Sequence, residues 1–182
     1  MSNDEYSVSM LKANFVSFLL FIPLSLLLLV PYGALWGLEK TGSDLIILYE
    51  DPLFFVFLML MGIVAHELLH GLTWICVGNK SWSSIKFGVN FSALAPYAHC
   101  REPLEVNAYR WGAAMPGLLL GVVPFLAGLT TGHAWFTLFG YLLSITASGD
   151  ILILWLIRNL ERGTYVQDHP ERAGCEVISA EN

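Results

Sequence analysis

Three long, nearly uncharged stretches of the sequence limit what the chain can fold into. Residues 13–38 contain no charged side chain, residues 53–77 contain only Glu67, and residues 111–157 contain only Asp150. A helix that crosses the hydrocarbon core of a bilayer needs about 20 apolar residues. The first two stretches are each long enough for one such helix, and the third is long enough for two. The sequence therefore predicts an integral membrane protein.

The overall composition agrees with this prediction. Charged residues make up 13% of the 182 residues, whereas a soluble domain typically contains about 25%. The formal net charge of −6 argues against nucleic acid as a partner. The three cysteines form no CxxC pair and are odd in number, so a disulfide framework is not expected.

The predicted fold class is an all-α polytopic membrane protein with four transmembrane helices. Thr130-Thr131-Gly132-His133 is the natural break in the third stretch, so the predicted spans cover residues 13–38, 53–77, 111–129 and 134–157. We read residues 39–52 as a loop. Polar tails at residues 1–12 and 161–182 are expected to flank a membrane domain of residues 13–160.

The region between the second and third spans, residues 78–110, is amphiphilic and predicts a short β-hairpin. Residues 84–91 alternate roughly with period two, as a strand does, and residues 97–100 form a second extended piece that could pair with them. The predicted hairpin lies near the membrane surface.

Basic residues predict the orientation of the spans. With four spans, both termini and the hairpin lie on one side of the membrane. That side carries eight of the nine Lys and Arg residues, and the opposite side carries only Lys40. Because cytoplasmic loops are enriched in Lys and Arg, both termini and the hairpin are expected to be cytoplasmic.

The second stretch contains the sequence Ala65-His66-Glu67-Leu68-Leu69-His70-Gly71. On a helix, positions i and i+4 share a face, so His66 and His70 can bind one metal ion. Glu67 lies beside that face, where a carboxylate can take a proton from a metal-bound water. Ionisable residues inside a membrane are costly and are functional candidates by default. We therefore predict a site for one Zn²⁺ with His66 and His70 as ligands and Glu67 as the catalytic base.

Depth in the membrane selects Asp150 as the predicted third metal ligand. Leu68, at the centre of the motif, is nine residues from the cytoplasmic end of its span, and Asp150 is ten residues from the end of its own span. At 1.5 Å per residue both lie ~14–15 Å below the same surface. A relay of protons or ions, or a pairing of Asp150 with a basic residue, is an alternative role.

Two stretches add a resemblance to a known family. His66-Glu67-Leu68-Leu69-His70-Gly71 and Arg110-Trp111-Gly112-Ala113-Ala114-Met115-Pro116-Gly117 resemble segments of the site-2 protease group of intramembrane zinc proteases, most closely a compact branch with four spans. Met115 replaces a Gly of that group. Ser148-Gly149-Asp150 keeps its late Asp without the preceding Asn-Pro.

The resemblance implies an endopeptidase that cleaves membrane-associated proteins or peptides within a lipid bilayer. We expect a multi-pass protein of a prokaryotic plasma membrane. Two other functions remain open: a metal or proton transporter with His66, His70 and Asp150 as its transit site, and a scaffold that keeps zinc for structure. Glu67, which is not needed to bind the metal, favours the enzyme.

Overall fold

A computed structural model describes residues 4–90 and 95–178, apart from the side chains of residues 47, 48 and 95. The helices are α1 (Met10–Trp36), α2 (Leu38–Glu50), α3 (Pro52–Gly78), α4 (Val106–Pro116), α5 (Val123–Thr131), α6 (Ala134–Thr146) and α7 (Ser148–Leu156). The strands are β1 (Glu5–Val8), β2 (Ile85–Asn90), β3 (Ala95–Cys100), β4 (Leu104–Glu105), β5 (Tyr165–Asp168) and β6 (Ala173–Val177). Phe91 of the predicted hairpin and the ends of both predicted tails, residues 1–3 and 179–182, lie outside the described residues.

Within the described residues, three or four helical segments are long and apolar enough to cross a membrane, which fits an integral membrane protein. Helices α1 and α3 qualify, and so does the continuous helix over residues 106–131, in which a π-helical turn joins α4 to α5. Helices α6 and α7 are bent by 42° at their junction and make a fourth span when counted together. The segment predicted as the fourth span, residues 134–157, therefore contains a bend.

The third span begins five residues earlier than the sequence predicts. Glu105 is the N-cap of α4, and its carboxylate accepts hydrogen bonds from the backbone N–H groups of Asn107 and Ala108. A side-chain acceptor at this position satisfies donors that the first turn of a helix leaves unpaired. The same carboxylate accepts from the N–H of Gly163, which ties the start of α4 to the segment after α7.

The described residues are mostly helical and contain the predicted hairpin, but they also form a second small sheet that the all-α prediction lacks. Strands β2 and β3 form the antiparallel hairpin between α3 and α4. The predicted tails contain β1, β5 and β6, which join β4 in a four-stranded sheet of order β1-β6-β5-β4. Glu5 is paired with Glu176, at the far end of the chain. Strands this short give little periodic signal, and partners so distant in sequence cannot be matched from local pattern.

The four-stranded sheet brings both ends of the described chain to one end of the helical bundle. Strand β1 leads into α1, β4 leads into α4, and β5 follows α7. The hairpin, which follows α3, lies at the same end. A buried cluster beneath the sheet joins these elements through side chains of β3, β4, α4, β5 and β6, including Cys100, Leu104, Tyr109, Val166 and Cys175.

Because Cys175 is buried in this cluster, we predict that its thiol is unreactive in the folded protein. Burial, together with the nearby charges of Asp168 and Glu176, raises the pKa of its thiol from the ordinary 9.0 to about 12. Since only the thiolate reacts, about one thiol in 10,000 is reactive at pH 8. We expect iodoacetamide to leave Cys175 unmodified in the folded protein and to modify it after denaturation, as measured by mass spectrometry of the peptides.

The same shift fixes the sign of a pH effect on stability. The folded-state pKa of Cys175 lies above its unfolded value. The contribution of the protonated thiol to the free energy of unfolding is therefore complete below pH 9 and is lost as the pH rises towards about 12. Modification of native Cys175 at the rate of the denatured thiol would contradict the described packing.

Residues 38–50 form helix α2 and not the predicted loop. Lys40 and Asp44, one turn apart, form an ion pair of 2.9 Å, and the hydroxyl of Tyr32 in α1 donates to the buried Asp44 carboxylate. Single residues join α2 to its neighbours: Gly37, with a φ of 86°, precedes it, and Asp51 follows it and caps α3. The charges that suggested a loop therefore hold a helix against α1.

Candidate metal centre

Helix α3 places the two motif histidines on one buried face. The rings of His66 and His70 are one turn apart, with centroids 4.9 Å from each other, and each residue is 7% exposed. The surrounding helix is apolar, so these rings and Glu67 are the ionisable groups of an otherwise hydrophobic span. Buried polar groups at such a position require partners.

Helix α7 supplies the partner that the depth argument selected. Asp150 is in the first turn of α7, immediately after the bend between α6 and α7. One carboxylate oxygen is 3.1 Å from Nε2 of His66, and the other is 3.4 Å from Nε2 of His70. The structure thus brings together the three predicted metal ligands, and the ligand role of Asp150 stays a prediction.

The hydrogen bonds of His70 show that this arrangement fits a cation. Nδ1 of His70 is 2.8 Å from the backbone carbonyl oxygen of Gly112, which can only accept, so Nδ1 carries the hydrogen. In the neutral ring the Nε2 lone pair then faces the Asp150 carboxylate. Two lone pairs in this position repel each other unless a proton or a metal ion lies between them, and metal-binding histidines are commonly oriented by such a carbonyl.

Glu67 lies beside the histidines and beneath the hairpin. One of its carboxylate oxygens and one ring nitrogen from each histidine all lie within 4.8 Å of one another. The backbone N–H of Ala98, in β3, donates a hydrogen bond to the Glu67 carboxylate. Both Glu67 and Asp150 are therefore close to the two histidines, and the division of roles between these two carboxylates stays a prediction.

An open cavity of about 1700 Å³ leads to these residues. Its walls come from α1, α3, α4, α6, α7, the β2–β3 hairpin and the turn between β5 and β6. A cavity of this size admits water and an extended peptide segment. The walls combine apolar side chains with polar ones, among them Asn14, Asn90, His99, Asp168 and Arg172.

Several residues that shape the site were not predicted from the sequence. The indole of Trp74 stacks on His70 with centroids 5.7 Å apart, and Tyr109 stacks on Trp74 at 5.9 Å. Trp74 follows His70 by one helical turn, which is the signal that could have identified it. The Gly112 carbonyl left no such signal, because a backbone group has no side-chain pattern in the sequence.

The remaining histidines are not metal ligands in this arrangement. His99 is paired with Asp168, with 2.9 Å between Nδ1 and a carboxylate oxygen. His169 lies in the turn between β5 and β6, near Glu5 and Glu176. His133 precedes α6 in the connection between α5 and α6, and its ring contacts Phe136.

Replacing Gly112 with Ala tests how His70 is held. A Cβ at this position would lie 1.8 Å from Nε1 of the buried Trp74 indole, so the ring stack and the carbonyl that orients His70 must shift. We expect a loss of about 3 kcal/mol in stability from overpacking and a 10- to 100-fold loss in zinc affinity. Thermal unfolding in detergent and zinc titration measure the two effects.

The matched control is Gly42→Ala in α2, where a Cβ meets nothing within 4 Å. This control is expected to match the wild-type protein in zinc affinity. A Gly112→Ala protein with unchanged zinc affinity would show that the Gly112 carbonyl does not orient His70.

Comparison with known families decides the class of this site. The family model described as "Putative zincin peptidase" matches residues 55–165, more than half of the chain. The chain belongs to this family. Membership in the zincin peptidase family, together with the His66-Glu67-His70 group, assigns a zinc metallopeptidase centre to α3. Searches of curated proteins and of solved structures found no match.

Proposed function

We propose that this zincin peptidase is an intramembrane endopeptidase similar to site-2 proteases. The observation that carries the proposal is the position of Asp150. Its carboxylate reaches both motif histidines from a different membrane-spanning segment, which completes a three-residue donor set within apolar helices. Catalytic zinc sites use three protein ligands and keep one position open, and two histidines with one carboxylate is a known ligand set.

His66, His70 and Asp150 would hold one Zn²⁺, which acidifies a coordinated water and polarises a peptide carbonyl when it is bound. Glu67 takes the proton of the attacking water as the new carbon–oxygen bond forms. Glu67 then gives that proton to the leaving nitrogen as the carbon–nitrogen bond breaks. The N–H of Ala98 keeps the Glu67 carboxylate aimed into the cavity.

The proposed substrates are membrane-associated proteins or peptides that reach the site from the cytoplasm. The cavity is lined by the hairpin, at the bundle end that carries eight of the nine Lys and Arg residues. Strand β3 pairs with β2 on one side within a two-stranded sheet. An extended substrate could add along the other edge of β3, where backbone hydrogen bonds provide affinity without requiring a particular sequence.

Removal of zinc tests the peptidase. We expect the purified protein in detergent to contain one zinc ion per chain and to cleave fluorescently labelled casein. Treatment with 1,10-phenanthroline should abolish cleavage, and added Zn²⁺ should restore it, because hydroxide generation and carbonyl polarisation both depend on the metal. Zinc-containing protein that does not cleave the labelled casein would contradict the proposal.

The transport alternative is tested with the same protein in liposomes. A transporter that uses His66, His70 and Asp150 as a transit site would move Zn²⁺ or protons across the bilayer, as reported by trapped fluorescent indicators. We expect no flux above that of empty liposomes. Flux that persists in a protein without peptidase activity would favour transport.

A further inference from the structure

A second polar cluster lines the cavity outside the metal centre. Asp168, at the end of β5, accepts a hydrogen bond of 2.8 Å from the hydroxyl of Tyr109 in α4. The other oxygen of its carboxylate is 2.9 Å from Nδ1 of His99 in β3. One carboxylate therefore joins three parts of the fold: the four-stranded sheet, the hairpin and the third span.

This cluster is connected to the metal centre in two ways. Tyr109 is the last ring of the stack that runs from His70 through Trp74. His99 also follows Ala98 in β3, so the Cα atoms of these two residues are about 3.8 Å apart. The N–H of Ala98 contacts Glu67. His99, Tyr109 and Asp168 line the same cavity as Glu67. Asp168 lies beyond residue 165, where the family match ends.

The pairing with Asp168 leaves one ring nitrogen of His99 available. Since a carboxylate only accepts, the 2.9 Å approach of Nδ1 to the Asp168 carboxylate assigns the ring hydrogen to Nδ1 of His99. Across residues 4–90 and 95–178, no hydrogen bond involves Nε2 of His99. The side chain is 18% exposed and lines the cavity, so the His99 ring borders the space that a bound molecule would occupy.

We propose that His99 is a substrate-binding residue of this cavity and that Asp168 is its positioning residue. This inference rests on the proposed peptidase function. Nε2 of His99 accepts a hydrogen bond from a peptide N–H when the ring is neutral, or donates one to a peptide carbonyl when it is protonated. Because Asp168 balances the charge of a protonated ring, the pair favours neutral peptide groups over acidic side chains.

Two substitutions separate substrate binding from a purely structural role. Asn reproduces a hydrogen-bonding nitrogen near Nδ1, so His99→Asn keeps the bond to Asp168 and removes Nε2. Gln places its amide near Nε2, so His99→Gln keeps the substrate contact and weakens the bond to Asp168. If His99 binds substrate, Asn is the more damaging change, and if His99 only supports the fold, Gln is the more damaging change.

We expect His99→Asn to raise the KM for labelled casein about tenfold, the effect of losing one hydrogen bond, with kcat within about twofold of wild type. The KM of His99→Gln is expected to be much closer to the wild-type value than the KM of His99→Asn. Asp168→Asn should raise KM less than His99→Asn does, because it loosens His99 without removing it. Zinc content and the unfolding temperature of His99→Asn should match the wild-type values.

The control is His133→Asn, in the connection between α5 and α6, which should leave KM and kcat unchanged. Binding of casein to Glu67→Gln protein, followed by fluorescence anisotropy, should weaken about tenfold when His99→Asn is added. Equal KM values for wild-type, His99→Asn and His99→Gln proteins that all cleave casein would overturn the inference alone. A zinc-containing wild-type protein that neither binds nor cleaves casein would overturn the proposed function and the inference with it.

Discussion

Replacing Glu67 with Gln is expected to lower kcat by about 100- to 10,000-fold, the usual contribution of a general base, while zinc remains bound. His66, His70 and Asp150 are unchanged by this substitution, so the predicted donor set for the metal is complete. The Gln side chain has nearly the same shape, and its amide oxygen can still accept the hydrogen bond from Ala98. The variant thus removes only the ability to take a proton.

Zinc content and casein cleavage are measured on the same preparation, so that loss of metal and loss of chemistry are separated. The matched control is Glu161→Gln, an exposed residue in the segment after α7, which should leave both quantities unchanged. A Glu67→Gln protein with wild-type kcat would exclude Glu67 as the general base. Loss of zinc from this variant would instead assign Glu67 to the metal.

The sequence predicted the side chains of the site better than its backbone groups. His66, Glu67 and His70 are readable because the i and i+4 spacing on a helix makes two side chains converge. Asp150 is readable because helices rise by a constant amount per residue, so depth in a membrane can be counted. The Gly112 carbonyl and the Ala98 N–H have no side-chain signature, and only the folded chain reveals that they contact His70 and Glu67.

In the fold, likewise, features that depend on local sequence were predicted and features that depend on distant contacts were not. Apolar length alone predicted the long helices, because a span is a local property of the sequence. The pairing of β1 with β6 depends on contacts between opposite ends of the chain, which no local pattern encodes. Helix α2 was missed for another reason: Lys40 and Asp44 suggest a solvated loop until their spacing of one helical turn is noticed.

Replacing Asp150 with Ala is expected to lower zinc affinity by at least about 100-fold, more than the loss of an outer-shell partner usually costs, and to remove peptidase activity. His66 and His70 would then bind the metal with neutral ligands only, without the carboxylate that balances its charge. Competition with a chromophoric chelator measures the affinity. Because a ligand stabilises the folded state that binds it, the rise in unfolding temperature on adding zinc should also shrink.

The Asp150→Ala result needs a control that perturbs α3, the helix with both metal-binding histidines, without touching the metal. Asp51→Ala removes the N-cap of α3, where the Asp51 carboxylate accepts from the N–H of Phe54 at 3.0 Å. This change should cost about 1 kcal/mol of stability and leave zinc affinity unchanged. Full zinc occupancy in Asp150→Ala would make Glu67 the third ligand, because it is the other carboxylate within reach of both histidines among the described residues. Glu67 would then not be free to act as the base, so Asp150 decides the role of both carboxylates.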